Sequence, residues 1–191
     1  MSDLLDARVA RPLSGGPSFT ARQRLFRLAW NVTWWALASW TPPPFHPWRR
    51  FLLRVFGASL EALTDVRGSA RVWYPPNLTM RYRSMIAARV NCYNMDHIEL
   101  DEHAIVSQGA HLCAGTHDPD DQNFQLRTAP IRIGRNAWIA AEAFVGPGVT
   151  IGEGAVLGAR AVASKDLAPG MIYVGNPAQP KRRRRFSGVG D

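Results

Sequence analysis

From about residue 80 to residue 168 the sequence repeats every six residues, and no other feature restricts the fold of the chain so tightly. Reading down one register gives Met80, Ile86 and Cys92, then Leu100, Val106 and Leu112, then Ile133, Ile139, Val145, Ile151, Leu157 and Ala163. Small residues often follow, as at Ala87, Ser107, Gly134, Ala140, Gly146, Gly152 and Gly158. Each hexapeptide suits one short strand and one sharp turn, so three of them close a three-sided coil with the aliphatic residue pointing to the axis. Successive coils then stack at about the 4.8 Å spacing of neighbouring strands. A helical reading fails, because glycine and proline recur where helices tolerate them least. The expected fold is a mainly β, parallel solenoid.

Coils can be laid out at 80–97, 100–117, 133–150 and 151–168, with a degenerate first coil at 62–79 that includes Trp73-Tyr74-Pro75-Pro76. Two stretches interrupt the register: Ile98-Glu99, read as a two-residue insertion that loops out, and a longer one from 118 to about 132. Insertions in a solenoid leave as loops, and such loops commonly meet ligand. The residue at which the long loop departs is His117. Upstream, residues 1–20 contain Pro12, Gly15, Gly16 and Pro17 and are expected to be an extended, weakly ordered arm. A helix is expected over 20–40, ended by Thr41-Pro42-Pro43-Pro44, and a second over 48–56, closed at Gly57. The chain therefore divides into an N-terminal arm and helices (1–60), the β-helix (61–178) and a basic C-terminal tail (179–191).

At 191 residues with 46% apolar content, the chain can bury one substantial core and little more. Two cysteines without a CxxC, and no secretory leader pattern, point to a reducing cytoplasm. The net charge of +8 is concentrated in Lys181–Arg185 and in Arg22, Arg24, Arg27, Arg49, Arg50 and Arg54. Such ends attract anions: CoA phosphates, anionic lipid head groups or nucleic acid, or they form a solvated tail. No nucleic-acid-binding motif accompanies them, so nucleic acid is not an expected partner. Leu28–Phe45 is uncharged but too polar and proline-rich to span a bilayer, which takes about 20 mostly apolar residues. Its tryptophans suit either the inner membrane interface or a partner subunit, and the chemistry does not require it.

Three stretches carry a family resemblance: Leu112-Cys113-Ala114-Gly115-Thr116-His117-Asp118, then Pro130 through Gly152 with Trp138-Ile139-Ala140, then Gly158-Ala159-Arg160 through Lys165-Asp166 to Gly175-Asn176-Pro177-Ala178. Together with the tryptophan-rich N-terminal segment, they resemble the hexapeptide-repeat acyltransferases, most closely those of colanic acid and exopolysaccharide biosynthesis. The resemblance implies a left-handed parallel β-helix with an N-terminal helical appendage, working as an O-acetyltransferase that moves acetyl from acetyl-CoA to a saccharide or lipid-linked saccharide hydroxyl. It implies that His117 is the general base, that no acyl-enzyme is required, and that acetyl-CoA lies between neighbouring subunits of a homotrimer. Trp138, Ala141 and Ala159 would then meet the pantetheine arm, and Ser164, Lys165 and Arg182 the nucleotide end. Gln179 stands where relatives often carry a basic residue, which the Lys181–Arg185 run would have to replace. Asn91, Asn94 and Asp96 fall on the acceptor side. His97, expected one rung beneath His117, would orient that histidine or touch the acceptor. Two other readings stand beside this one, a metal-dependent β-helix enzyme of the carbonic anhydrase type and a non-catalytic structural β-helix. Zinc needs three or four converging ligands, and His103 and His111 are expected on other faces of the coil, so no metal is expected.

Overall fold

A computed structural model describes residues 4–185; the ends of the expected arm and tail, 1–3 and 186–191, lie outside the described residues. The chain winds a left-handed parallel β-helix with three faces, of five, seven and five strands. On the first face Leu60, Met80, Leu100, Ile133 and Ile151 stand above one another. On the second stand Val66, Ile86, Val106, Ile139 and Leu157, and on the third Val72, Cys92, Leu112, Val145 and Ala163. All fifteen are buried, so the six-residue register is the core of the molecule. The small residue after each inward aliphatic has a steric reason. A Cβ on Gly152 would lie 2.5 Å from the Pro169 nitrogen and 2.8 Å from the Leu167 carbonyl oxygen, because the next coil crosses directly over it.

The first coil would leave a row of carbonyl groups open at its free edge, and the N-terminal appendage closes that row. Three helices form it: α1 (Ala7–Ala10), α2 (Ala21–Leu37) and α3 (His46–Val55). The indole of Trp30 donates to the Val72 carbonyl at 2.7 Å, and that of Trp34 to Gly68 and Ala70 at 3.1 and 3.2 Å. From α3, Arg49 donates to Val66 at 2.6 Å, Arg50 to Thr64 at 3.3 Å, and Arg54 to Leu60. Arg49 is wholly buried and tolerates this because its guanidinium also reaches the Pro42 and Pro43 carbonyls, each at 2.9 Å, and the Asp65 carboxylate at 3.4 Å. The opposite face of α2 exposes Leu25, Leu28, Val32 and Trp35. No helix among the described residues is long and apolar enough to cross a membrane.

Three expectations change at this level. Ile98 and Glu99 do not loop out: strand Ile98–Leu100 pairs with Leu78–Met80 below and Ile131–Ile133 above, with Ile98 fully buried. The two surplus residues lie instead just before it, at Asn94–His97. The arm is not extended, since α1 and a 3-10 turn at Pro12–Ser14 fold it back so that Leu5 donates its N–H to the Ser18 carbonyl at 3.0 Å. Gln179–Arg183 is not a free tail but an antiparallel strand against Met171–Val174 that closes the second face.

Core placement also separates the two thiols. Cys92 is fully buried, and desolvation pushes its pKa up to about 12, whereas Cys113 is partly exposed. At pH 8 a thiol with that pKa is ionised to about one part in ten thousand, and the thiolate is the reactive form. Iodoacetamide on the native protein should therefore label Cys113 alone, with Cys92 reacting only after unfolding. Mass spectrometry of peptides alkylated before and after denaturation checks this.

Candidate active site

All surplus residues leave the β-helix at one corner, where the third face passes to the first. Along the first face Leu60, Met80 and Leu100 follow at twenty-residue steps, Ile133 comes thirty-three residues later, and Ile151 restores the eighteen-residue coil. The first excursion holds Trp73–Asn77 and the second Asn94–His97. The third is a hairpin of Gly115–His117 against Leu126–Thr128, which departs earlier than the expected 118. Its register pairs His117 with Leu126 at the outer end of the ladder, and the Asp118 carboxylate accepts from Arg127 at 2.6 Å across the two strands. At the tip, the Asn123 backbone N–H donates to the Asp121 carboxylate at 2.9 Å and holds its pKa below the ordinary range.

This hairpin fixes the His117 ring. Its Nδ1 lies 2.8 Å from the Phe124 carbonyl oxygen, and the Phe124 ring stacks on it with centroids 4.2 Å apart and planes 8° from parallel. A carbonyl can only accept, so Nδ1 carries the hydrogen in the neutral ring and Nε2 presents its lone pair. Phe124 holds a left-handed φ of 52°, a conformation that costs about 1–2 kcal/mol for a residue with a Cβ, and the stacking offsets part of it.

His117 opens into a cleft of about 460 Å³. The hairpin supplies Leu126 beside it, the end of strand Asn91–Tyr93 supplies Tyr93, the second excursion supplies Met95, the arm supplies Pro17, Ser18 and Phe19, and α2 supplies Arg24 and Arg27. The Gln125 side chain ties the arm to the hairpin. Gln125 accepts the Ala7 N–H at 2.7 Å and donates to the Leu5 carbonyl at 3.3 Å, while Phe19 packs on Trp73 at 5.0 Å.

The residues expected on the acceptor side lie around this cleft rather than in its lining. Asn94 is fully buried and bonds both ways to the Tyr74 backbone, at 3.0 and 2.7 Å, which makes it the plug of its corner. Asp96 accepts the His97 N–H at 2.7 Å. His97 does not lie beneath His117: Ile98 sits under Ile131, so His97 falls under Pro130, where the hairpin returns. Asn91 belongs to the third face, 3.2 Å from His111 Nε2, and lines a separate hollow against α2. Strand alternation and the misplaced insertion account for these shifts, and they leave Tyr93 and Met95 as the residues that enter the cleft. Arg24 and Arg27 had registered only as part of a basic N-terminus, while the fold-back of the arm carried no periodic signal.

Trp138, Ala141, Ala159 and Arg182 do share one surface. They line a groove of about 510 Å³ on the second face, with Arg184 and Arg185 at its basic end. The Trp138 indole is held by Ser107 at 2.8 Å. Ser164 and Lys165 lie apart, exposed, in the column of corners that carries His117 and two coils further on. The remaining histidines do not converge. His103 meets Tyr82 edge-on at 5.8 Å, and His111 meets Phe144 at 5.3 Å, with burial holding the His111 imidazole below its usual range. Among the described residues no group of three or more His, Cys, Asp or Glu could hold a metal ion.

Gln125→Ala should free the arm without disturbing the coil. Losing its bond to a partly buried N–H costs about 1–2 kcal/mol, so hydrogen exchange at the Ala7 amide should accelerate about 5- to 30-fold, with amides of the ladder unchanged. Exchange monitored by NMR checks this.

Known proteins place this architecture. Residues 130–164 match the family model of the bacterial transferase hexapeptide, six repeats. A protein of Escherichia coli (strain K12), WcaF, assigned by its name to colanic acid biosynthesis as an acetyltransferase, is 39% identical over 155 residues, covering 79% of this chain and 85% of its own. Among solved structures, a hexapeptide-repeat acetyltransferase of Vibrio cholerae complexed with acetyl coenzyme A superposes with a TM-score of 0.76 at 20% identity, covering 87% of this chain and 91% of that one. A maltose O-acetyltransferase of Clostridium difficile 630 gives 0.72 at 22% identity over 87% and 90%. The repeat, the hairpin that departs beside His117 and the length of the shared sequence have one common account: the chain belongs to the hexapeptide-repeat acetyltransferases of the colanic acid biosynthesis type.

Proposed function

We propose that the protein transfers acetyl from acetyl-CoA to a hydroxyl of a saccharide acceptor, in exopolysaccharide or other glycan biosynthesis, with His117 as general base. The observation that carries this reading is the Phe124 carbonyl on His117 Nδ1, which leaves Nε2 unpartnered among the described residues at the mouth of the cleft. A sugar hydroxyl is a poor nucleophile at neutral pH. As its oxygen bonds to the thioester carbonyl carbon, its proton passes to Nε2; the C–S bond then breaks and the proton goes to the departing CoA thiolate. Neither thiol enters this scheme, in keeping with the burial of Cys92.

Acetyl-CoA fits the groove on the second face. Its floor of Trp138, Ala141, Ala159 and Ile172 suits the pantetheine arm, and Arg182 and Arg185 suit the phosphates in place of the basic residue absent at Gln179. His117→Ala should lower kcat by about 10²–10⁴-fold and leave the melting temperature and CoA affinity unchanged. Thiol release and calorimetric CoA binding on the same preparation check it; a variant with normal turnover would unseat the base.

The groove lies on the second face and the histidine beside the corner between the third face and the first, an arrangement that suits a site shared between neighbouring chains. A homotrimer, in which the hairpin corner of one chain faces the groove of the next, brings them together and puts Ser164 and Lys165 on the far wall of the same groove. Cyclic association of identical chains requires only this one heterologous contact. His117→Ala and Ala159→Trp, a substitution that fills the groove, should each be inactive alone. Co-expressed in equal amounts they should recover about a quarter of the wild-type rate, because one interface in four then pairs an intact histidine with an intact groove. No recovery would return the whole site to one chain. The exposed Leu25, Leu28, Val32 and Trp35 stripe supports a peripheral seat at the membrane interface for this assembly.

A further inference from the structure

We infer that the His117 cleft is built for an acceptor carrying an anionic group, with Arg27 as its receptor and Arg24 as a second donor at the rim. The inference rests on the acyl-transfer reading above and names its substrate class. Among the described residues, none that lines the cleft is acidic. The carboxylates next in sequence to the lining residues His117 and Met95 are already engaged: Asp118 with Arg127 at 2.6 Å, and Asp96 with the His97 N–H at 2.7 Å. Arg24 and Arg27, three residues apart on α2, face the same side of the helix, and among the described residues neither forms an ion pair.

Arg27 is the more informative of the two. Its guanidinium lies 3.9 Å from the centre of the Trp73 ring, which holds the fork in one plane. Trp73 is in turn braced by Phe19 at 5.0 Å and Tyr93 at 5.7 Å. The Nε of Arg27 is buried and has no hydrogen-bond partner among the described residues. Burial draws its pKa below the ordinary arginine value, opposed only by the Tyr93 phenol. A partly desolvated cation with an unmet donor is costly unless something compensates it, and an anion that presents two oxygens matches the guanidinium fork. Such an anion would reach the cleft as the carboxylate of a uronic acid or as the phosphoryl group of a phosphate-linked saccharide. A volume of about 460 Å³ has room for a sugar unit beside it.

The test measures binding, not turnover, on the full chain saturated with CoA so that the basic groove around Arg182 is occupied. Titration calorimetry compares methyl β-D-glucuronide and α-D-glucose 1-phosphate with neutral methyl β-D-glucoside. At least one anionic sugar should bind about tenfold or more tightly than the neutral one, and the stronger of the two identifies the source of the charge. Arg27→Met should abolish that preference and leave neutral-sugar affinity unchanged, and Arg24→Gln should reduce it by a few-fold. Should Arg27→Met fail to fold, Arg27→Lys serves: it keeps the charge but not the fork, and most of the preference should be lost. Equal affinity for all three sugars, no measurable anionic binding, or a preference untouched in the folded Arg24 and Arg27 variants would overturn the inference. His117→Ala should retain the anionic preference, so a failure of the base assignment stays separate from a failure of this one.

Discussion

Everything in this molecule depends on the vertical register of its inward aliphatic residues. Three columns, each made of side chains stacked one coil above the next, must stay aligned for the interior to remain filled, and a void in such a core is expensive. A coil can therefore absorb extra residues only where they do not displace a column. Two of the three corners are held tight by small residues under the next coil, as Gly152 is under Leu167 and Pro169. The third corner takes all the surplus, two residues in each of the excursions at Trp73–Asn77 and Asn94–His97 and a full hairpin at Gly115–Thr128. Packing in the core thus confines the variable chemistry to one edge of the solid.

The appendage belongs to the same logic. A solenoid ends in an unpaired edge, which invites association with other strands unless it is covered. Here the cover consists of donors, the indoles of Trp30 and Trp34 and the guanidinia of Arg49, Arg50 and Arg54, each set on a first-coil carbonyl. This pins α2 against the first coil by its Trp30 and Trp34 side, and the pinning also fixes where Arg27 and Arg24 emerge about one and two helical turns earlier. The segment that looked dispensable for chemistry is therefore both the lid of the core and a wall of the cleft.

The fold was legible in the sequence because the columns are periodic: Ile133, Ile139, Val145, Ile151 and Leu157 name their own positions. The site was legible only where an element departs from that period, which is how His117 stood out at the root of the long excursion. The acceptor side was not readable to the residue, because a shift of two places in the insertion moves Asn94 from the surface to a buried plug and sends Met95 outward. Polarity favoured Asn91, Asn94 and Asp96, whereas position selected Tyr93 and Met95. The arm was illegible for a different reason. Its docking rests on the lone side chain of Gln125 and on Phe19 against Trp73, contacts about 120 and 54 residues apart in sequence that no local pattern encodes.

The hairpin explains why the histidine is not on the coil itself. A residue in the ladder has its backbone committed to the coils above and below, and its side chain points either into the core or straight out. His117 sits instead at the last rung of a two-stranded projection, where the loop's own Phe124 carbonyl can reach back to Nδ1 and the Phe124 ring can clamp the imidazole plane. The next residue, Gln125, holds the arm, and the arm holds the cleft wall through Phe19. Orientation of the imidazole and closure of the cleft are thus set by adjacent residues of one loop. Phe19 of that arm packs on the Trp73 ring that holds Arg27, so the rigid coil beneath supplies the fixed reference against which both the imidazole and the guanidinium are placed.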